Sequence, residues 1–135
     1  MSFMAANEKW RIGIGSLDHE HSALGQLLEA LHTAVNDNPE SGHSGVLLHS
    51  LDEQMRAHFS TEEAMMEGDR YPGMAIHAMK HDHLIKQLHA LMVRVDQAPS
   101  NLNEHALKFL REWFQTHIEQ DDKLFGVWLS EHGKS

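Results

Sequence analysis

At 135 residues the chain has the length of one domain, with a core large enough to fold without staples. Twenty acidic against 11 basic residues leave a formal charge of -9, which repels nucleic-acid backbones and anionic lipid. Cysteine is absent, which excludes disulfides, iron–sulphur clusters and thiolate nucleophiles, whereas 13 histidines far exceed ordinary usage.

The opening MSFMAANEKW carries no basic-then-apolar leader, and no apolar run approaches the roughly 18 residues of a spanning helix. A cytoplasmic protein without membrane insertion is expected. Residues 1–17 are mixed, and Gly13 and Gly15 break any regular pattern, so Trp10, Ile12, Ile14 and Leu17 are expected to pack an irregular arm onto the body. Asp18 is a suitable N-cap for a first helix, along which Leu24, Leu27, Leu28, Leu31 and Val35 recur at helical spacing up to the segment 36–42.

A second helix runs from about Ser44 through Leu47, Leu48, Leu51, Met55, Phe59 and Met66 to Gly68. Tyr71-Pro72-Gly73 then punctuates the chain. Met74, Ile76, Leu84, Leu88, Leu91 and Val95 mark a third helix ending at Ala98-Pro99. Ser100 or Asn101 is placed to cap the fourth, which uses Leu107, Leu110, Phe114 and Ile118, and a short segment from about Asp122 to Ser130 closes the chain. The pattern predicts a single all-α domain over 1–135: an antiparallel up-and-down four-helix bundle with an irregular N-terminal arm and a short C-terminal helix.

Residues four apart share a helix face, so His58 with Glu62 and His77 with His81 each offer paired ligands to one metal ion. Apolar neighbours accompany both pairs, which favours inward placement. His21 follows the spacing of Leu17, Leu24 and Leu28, and His117 lies among Trp113, Phe114 and Ile118, so four helices can converge on one site. The carboxylate beside His117 is harder to choose. On an ideal helix Asp121 lies about 40° around the axis from His117 and Asp122 about 140° away, which favours Asp121 unless the helix is distorted there.

The motifs LDHEH at 17–21, HFSTEEAMM at 58–66, YP followed by HAMKH at 71–81, and WFQTHIEQDDK at 113–123 resemble the hemerythrin family, in particular its single-domain bacterial members. The resemblance implies seven metal ligands: His21, His58, Glu62, His77, His81, His117 and Asp122. It thus selects Asp122 and leaves Asp121 as the rival. It further implies one iron held by His77, His81 and His117 and another by His21 and His58, with Glu62, Asp122 and an oxo or hydroxo group bridging the pair. Counting ligands to two six-coordinate irons leaves one position open, on the two-histidine iron. The resemblance implies that dioxygen can bind there reversibly and be reduced to a hydroperoxide as both irons pass from ferrous to ferric. Ligand type alone also suits zinc or manganese.

The implied role is dioxygen binding for storage, intracellular delivery or sensing, with a cellular reductant or an oxygen-using enzyme as possible partner. Two other classes compete. A ferritin-like diiron oxidase wants Glu-x-x-His on two helices, and here Glu29 with His32 fits a helix while Glu40 with His43 falls in a loop. A non-metal helical signalling module would need other partners for the inward histidines. Glu63 is expected at the surface or behind the ligands, Asp82 and His83 outside the site, and Tyr71 and Pro72 in the turn. Trp10, Trp113 and Trp128 are expected in packing, and His19, His32, His43, His49, His89, His105 and His132 mainly on wet surfaces. Gly25 stands where the family commonly has a bulky aromatic, which either admits a neighbouring side chain or opens a channel beside His21.

Overall fold

The computed structural model describes residues 12–38 and 42–132. Four main helices carry the chain: α1 (Gly15–Asp37), α2 (His43–Gly68), α3 (Met74–Gln97) and α4 (Glu104–Thr116). A π-helical turn, His117–Asp122, joins α4 to α5 (Lys123–Glu131), and a 3-10 turn, Pro99–Asn101, precedes α4. No strand occurs among the described residues, and no described helix is long and apolar enough to cross a membrane.

Each main helix buries one stripe. Leu17, Leu24, Leu28, Leu31 and Val35 from α1 meet Leu48, Leu51, Met55 and Met66 from α2, Leu84, Leu88, Leu91 and Val95 from α3, and Leu107, Leu110 and Phe114 from α4. Each such side chain contributes about 1.5–3 kcal/mol through apolar burial. The helices alternate in direction, as two pairs at one end reveal. His32, late in α1, lies 3.8 Å from Glu104 at the start of α4, and His49, early in α2, lies 3.2 Å from Asp96 late in α3. The opposite end therefore gathers the start of α1, the end of α2, the start of α3 and the segment after α4.

Several boundaries differ from the sequence expectation. Asp18 does not cap α1, which begins earlier, at Gly15, after the extended Ile14. The Asp18 carboxylate instead accepts a 2.8 Å hydrogen bond from the Ile12 backbone N–H and ties the arm to the first turn. Neither Ser100 nor Asn101 caps α4. Pro99 starts a turn of its own, Asn101 donates to the Arg94 carbonyl at the end of α3, and buried Leu102 delays the helix until Asn103, whose side chain accepts from Ala106 N–H at 3.0 Å. Ile76 was expected in the core stripe, yet it is 65% exposed, since its neighbour His77 takes the inward direction. Trp10 lies outside the described residues.

The arm crosses α5 at Gly126, where an added Cβ would clash with the Ile12 backbone carbonyl oxygen. Gly126→Ala is therefore expected to displace the arm and lower unfolding free energy by about 1–3 kcal/mol, the usual cost of overpacking. Denaturant unfolding checks this, and unchanged stability would place the arm elsewhere in solution.

Candidate metal centre

The antiparallel arrangement brings all seven sequence-selected residues, His21, His58, Glu62, His77, His81, His117 and Asp122, to one level of the bundle, where every one is buried. They form two groups that share two members. Glu62 and Asp122 lie with His77, His81 and His117 on one side, and with His21 and His58 on the other.

The two carboxylates divide their oxygens between these sides. Glu62 Oε1 lies 3.1 Å from Nε2 of both His77 and His81, and Asp122 Oδ1 lies 2.8 Å from His77 Nε2 and 3.0 Å from His117 Nε2. Facing the other way, Glu62 Oε2 is 2.9 Å from His58 Nε2 and 3.5 Å from His21 Nε2, and Asp122 Oδ2 is 2.8 Å from His21 Nε2. Ligand atoms about 2.1 Å from a common ion and at right angles to one another stand about 3 Å apart, so these spacings match the edges of two coordination shells. Despite this proximity, His21 Nε2, His58 Nε2, Glu62 Oε2 and both Asp122 oxygens are buried without a hydrogen bond. His81 Nε2 and His117 Nε2 also face each other at 3.0 Å. Buried polar atoms this close together, several of them left without a hydrogen bond, fit shared cations better than one another.

The electrostatics agree. Burial opposes charge on Glu62, but the surrounding histidines, His117, His21, His58 and His77, hold its carboxyl well below the usual range. Burial and the Glu62 charge push Asp122 up, and His117 and His21 more than offset them. Burial likewise opposes protonation of His21, but Asp122 and Glu62 raise it to about 9. The carboxylates thus demand positive charge at the Nε2 atoms, and protons and metal ions compete for that place.

The structure explains the choice between adjacent aspartates. In the π-helical turn His117–Asp122 the wider i→i+5 spacing brings Asp122, not Asp121, beneath His117. Asp121 faces outward and serves from behind: its Oδ2 lies 3.3 Å from His117 Nδ1, and Lys80 donates to its Oδ1 at 2.6 Å. Two further acids act similarly. Glu20 accepts from His58 Nδ1 at 2.6 Å and Glu63 from His81 Nδ1 at 2.8 Å. Glu63 was legible as an acid at the surface or behind the clustered histidines; Glu20 was not, because its partner is 38 residues away. Aromatic planes hold the same rings. Phe59 stacks on His81 with centroids 3.8 Å apart, and Trp113 stacks on His117 at 4.5 Å.

The hemerythrin HHE cation binding domain profile matches residues 12–129. The chain belongs to the hemerythrin family. It is 30% identical to a bacteriohemerythrin of Methylococcus capsulatus over 118 residues, which cover 87% of this chain and 88% of that one. Myohemerythrin-1 of Phascolopsis gouldii is 26% identical over 86% of each chain. A crystal structure of a hemerythrin variant, 28% identical, superposes with a TM-score of 0.87 over 96% of this chain and 99% of its own.

Other residues of this hemerythrin fall away from the two groups. His19, His43, His49, His83, His89, His105 and His132 are exposed and His32 is half-buried. Asp82 pairs with Lys86 at the surface. Tyr71 packs against Phe125 and Trp128 in the turn after α2, as expected of a residue that shapes it. The Glu29 and His32 pair required by the ferritin-like alternative lies toward the other end of the bundle, and Glu40 is outside the described residues. Gly25 is buried one turn after His21, and the aromatic edge that meets the His21 ring comes from Phe114 on α4, with centroids 6.5 Å apart.

Proposed function

We propose that this hemerythrin holds two iron ions between the seven residues and binds dioxygen reversibly at the two-histidine side. The observation that carries this reading is the division of the Glu62 and Asp122 oxygens between a three-histidine and a two-histidine group. An iron pair bridged by an oxo or hydroxo group would supply two electrons to dioxygen and recover them on release.

The residues of the chain supply the remaining features. Glu20 and Glu63 accept from the Nδ1 atoms of His58 and His81, which fixes those tautomers and aims each Nε2 lone pair inward, while the Asp121 carboxylate lies 3.3 Å from His117 Nδ1 and acts on it through charge. Leu24, Leu28, Met55, Leu84, Phe114 and Ile118 are buried and exclude water from the centre. Outside the seven, the buried titratable group among the described residues is Asp52, which is paired with Arg56. A site whose buried acids and bases are all committed to holding ligands favours binding over multi-step turnover. Storage, intracellular delivery and sensing in the cytoplasm share this chemistry, with a cellular reductant or oxygen-using enzyme as partner.

The test is an oxygen cycle. The iron-loaded protein is reduced anaerobically, exposed to oxygen and purged, and the proposal expects an absorption band that appears and disappears over repeated cycles. Consumption of oxygen in excess of the protein, without a recoverable adduct, would point to an oxidase instead.

Glu63→Ala tests the outer acids. Loss of such a partner typically costs 10–100-fold in metal affinity, so roughly that increase in the rate of iron loss to a chelator is expected. An unchanged rate would mean that His81 is held by Phe59 stacking alone.

A further inference from the structure

A groove of about 920 Å³ runs along the surface between α3 and α4. Ile76 and Met79 line it and stand 65% and 71% exposed, which is unusual for large apolar side chains on adjacent turns of one helix. Phe109 and Trp113 line the α4 side, and His117 reaches its inner end. The volume falls within the range of small-molecule sites, and an aromatic and aliphatic lining suits a planar apolar ligand. Both lysines of the rim are already paired, Lys80 with Asp121 at 2.6 Å and Lys86 with Asp82 at 2.9 Å, and the remaining acid, Glu112, lies 3.9 Å from Lys108 outside the groove and disfavours a further anion. A ligand carrying a phosphate or carboxylate would have to break one of these pairs, so an uncharged occupant fits best.

The groove also abuts the metal centre at a defined place. The Trp113 ring lies nearly parallel to the His117 imidazole, at 17° with centroids 4.5 Å apart, and it meets Phe59, which stacks on His81, at a tilt with centroids 5.7 Å apart. A planar molecule in the groove would therefore stand one aromatic ring from a residue of the three-histidine group. Neither His21 nor His58, the histidines on the oxygen-binding side, lines the groove.

We propose that the groove binds a neutral hydroquinone that reduces the oxidised centre, with Trp113 and His117 as the electron path. This rests on the diiron reading above. The balance closes: one hydroquinone loses two electrons and the two protons of its O–H groups, becoming the quinone, while two ferric ions would become ferrous and the protons pass to solvent at the mouth of the groove. Electrons would then enter at the three-histidine side and oxygen at the two-histidine side, so that neither blocks the other.

The experiment uses the iron-loaded diferric protein and 1,4-naphthohydroquinone under anaerobic stopped flow, after iron content has been measured. The expected reduction rate saturates with hydroquinone concentration. Met79→Lys, which places a charge in the apolar slot, should raise the half-saturation concentration about tenfold or more. Trp113→Leu should lower the plateau about tenfold, and Trp113→Phe, which keeps an aromatic ring against His117, should restore most of it. Equilibrium dialysis of 1,4-naphthoquinone gives an independent measure of binding, which Met79→Lys should weaken to the same degree. A rate that never saturates, or one that Met79→Lys leaves unchanged, overturns the groove assignment. Faster saturable reduction by reduced flavin mononucleotide overturns the choice of a neutral carrier. Wild-type protein without iron contradicts the diiron reading, and dialysis still reports on the groove in that case.

Discussion

Asp122→Ala is expected to abolish the absorption spectrum of the coupled diferric pair, whereas Asp121→Ala should retain it. Asp122 places one oxygen 2.8 Å from His77 Nε2 and the other 2.8 Å from His21 Nε2, so its loss removes a ligand atom from both groups at once. The affinity penalty should exceed the 10–100-fold associated with an outer partner. Asp121 has only that outer role, 3.3 Å from His117 Nδ1 and bonded to Lys80. Burial pushes its pKa upward, but His117 and Lys80 hold it down at about 2, so it is ionised and able to orient His117 across the neutral range. Iron content and the visible spectrum of the two variants decide the matter. A larger loss in Asp121→Ala would require a regular α-helix through residues 117–122 in solution.

His77→Ala should produce the second largest effect, on iron and stability together. His77 Nε2 lies within 3.1 Å of Glu62 Oε1 and 2.8 Å of Asp122 Oδ1, so it touches both shared carboxylates. Removing it opens the three-histidine group and leaves two buried carboxylates with one partner fewer. The unfolding free energy of the metal-free protein should fall by about 3 kcal/mol, as for other broken buried ion pairs, and that of the loaded protein by the stability lost with the metal. The exposed His89 provides the control, for which His89→Ala should stay within about 0.5 kcal/mol of the parent. An unchanged spectrum and melting curve in His77→Ala would remove His77 from the centre.

The bundle was legible because leucines at helical spacing must find a common interior, and four such stripes joined by short connections have few ways to do so. The i,i+4 pairs His58 with Glu62 and His77 with His81 were legible for the same geometric reason. The π-helical turn was not. Regular spacing put Asp121 beneath His117, and only the motif resemblance chose Asp122, because a local widening of the helix depends on what the surrounding core demands of both residues. Glu20 escaped notice because its partner His58 is fixed by how α1 and α2 pack, which local sequence does not specify. Ile76 misled for the opposite reason: an apolar residue in a helix was assigned inward, while the chemistry of His77 and His81 set the rotation of α3 and turned Ile76 to solvent. The α4 cap was misplaced by two or three positions, since Pro99 and buried Leu102 decide where α4 can start, and the α1 cap by four.

The most direct test of the diiron centre is metal analysis of protein produced and purified without added metal. With one ion in each of the two groups, iron should reach twice the protein concentration and fall below half that in Asp122→Ala. Protein that is fully helical and free of iron, or that carries a single zinc or manganese per chain, would contradict it.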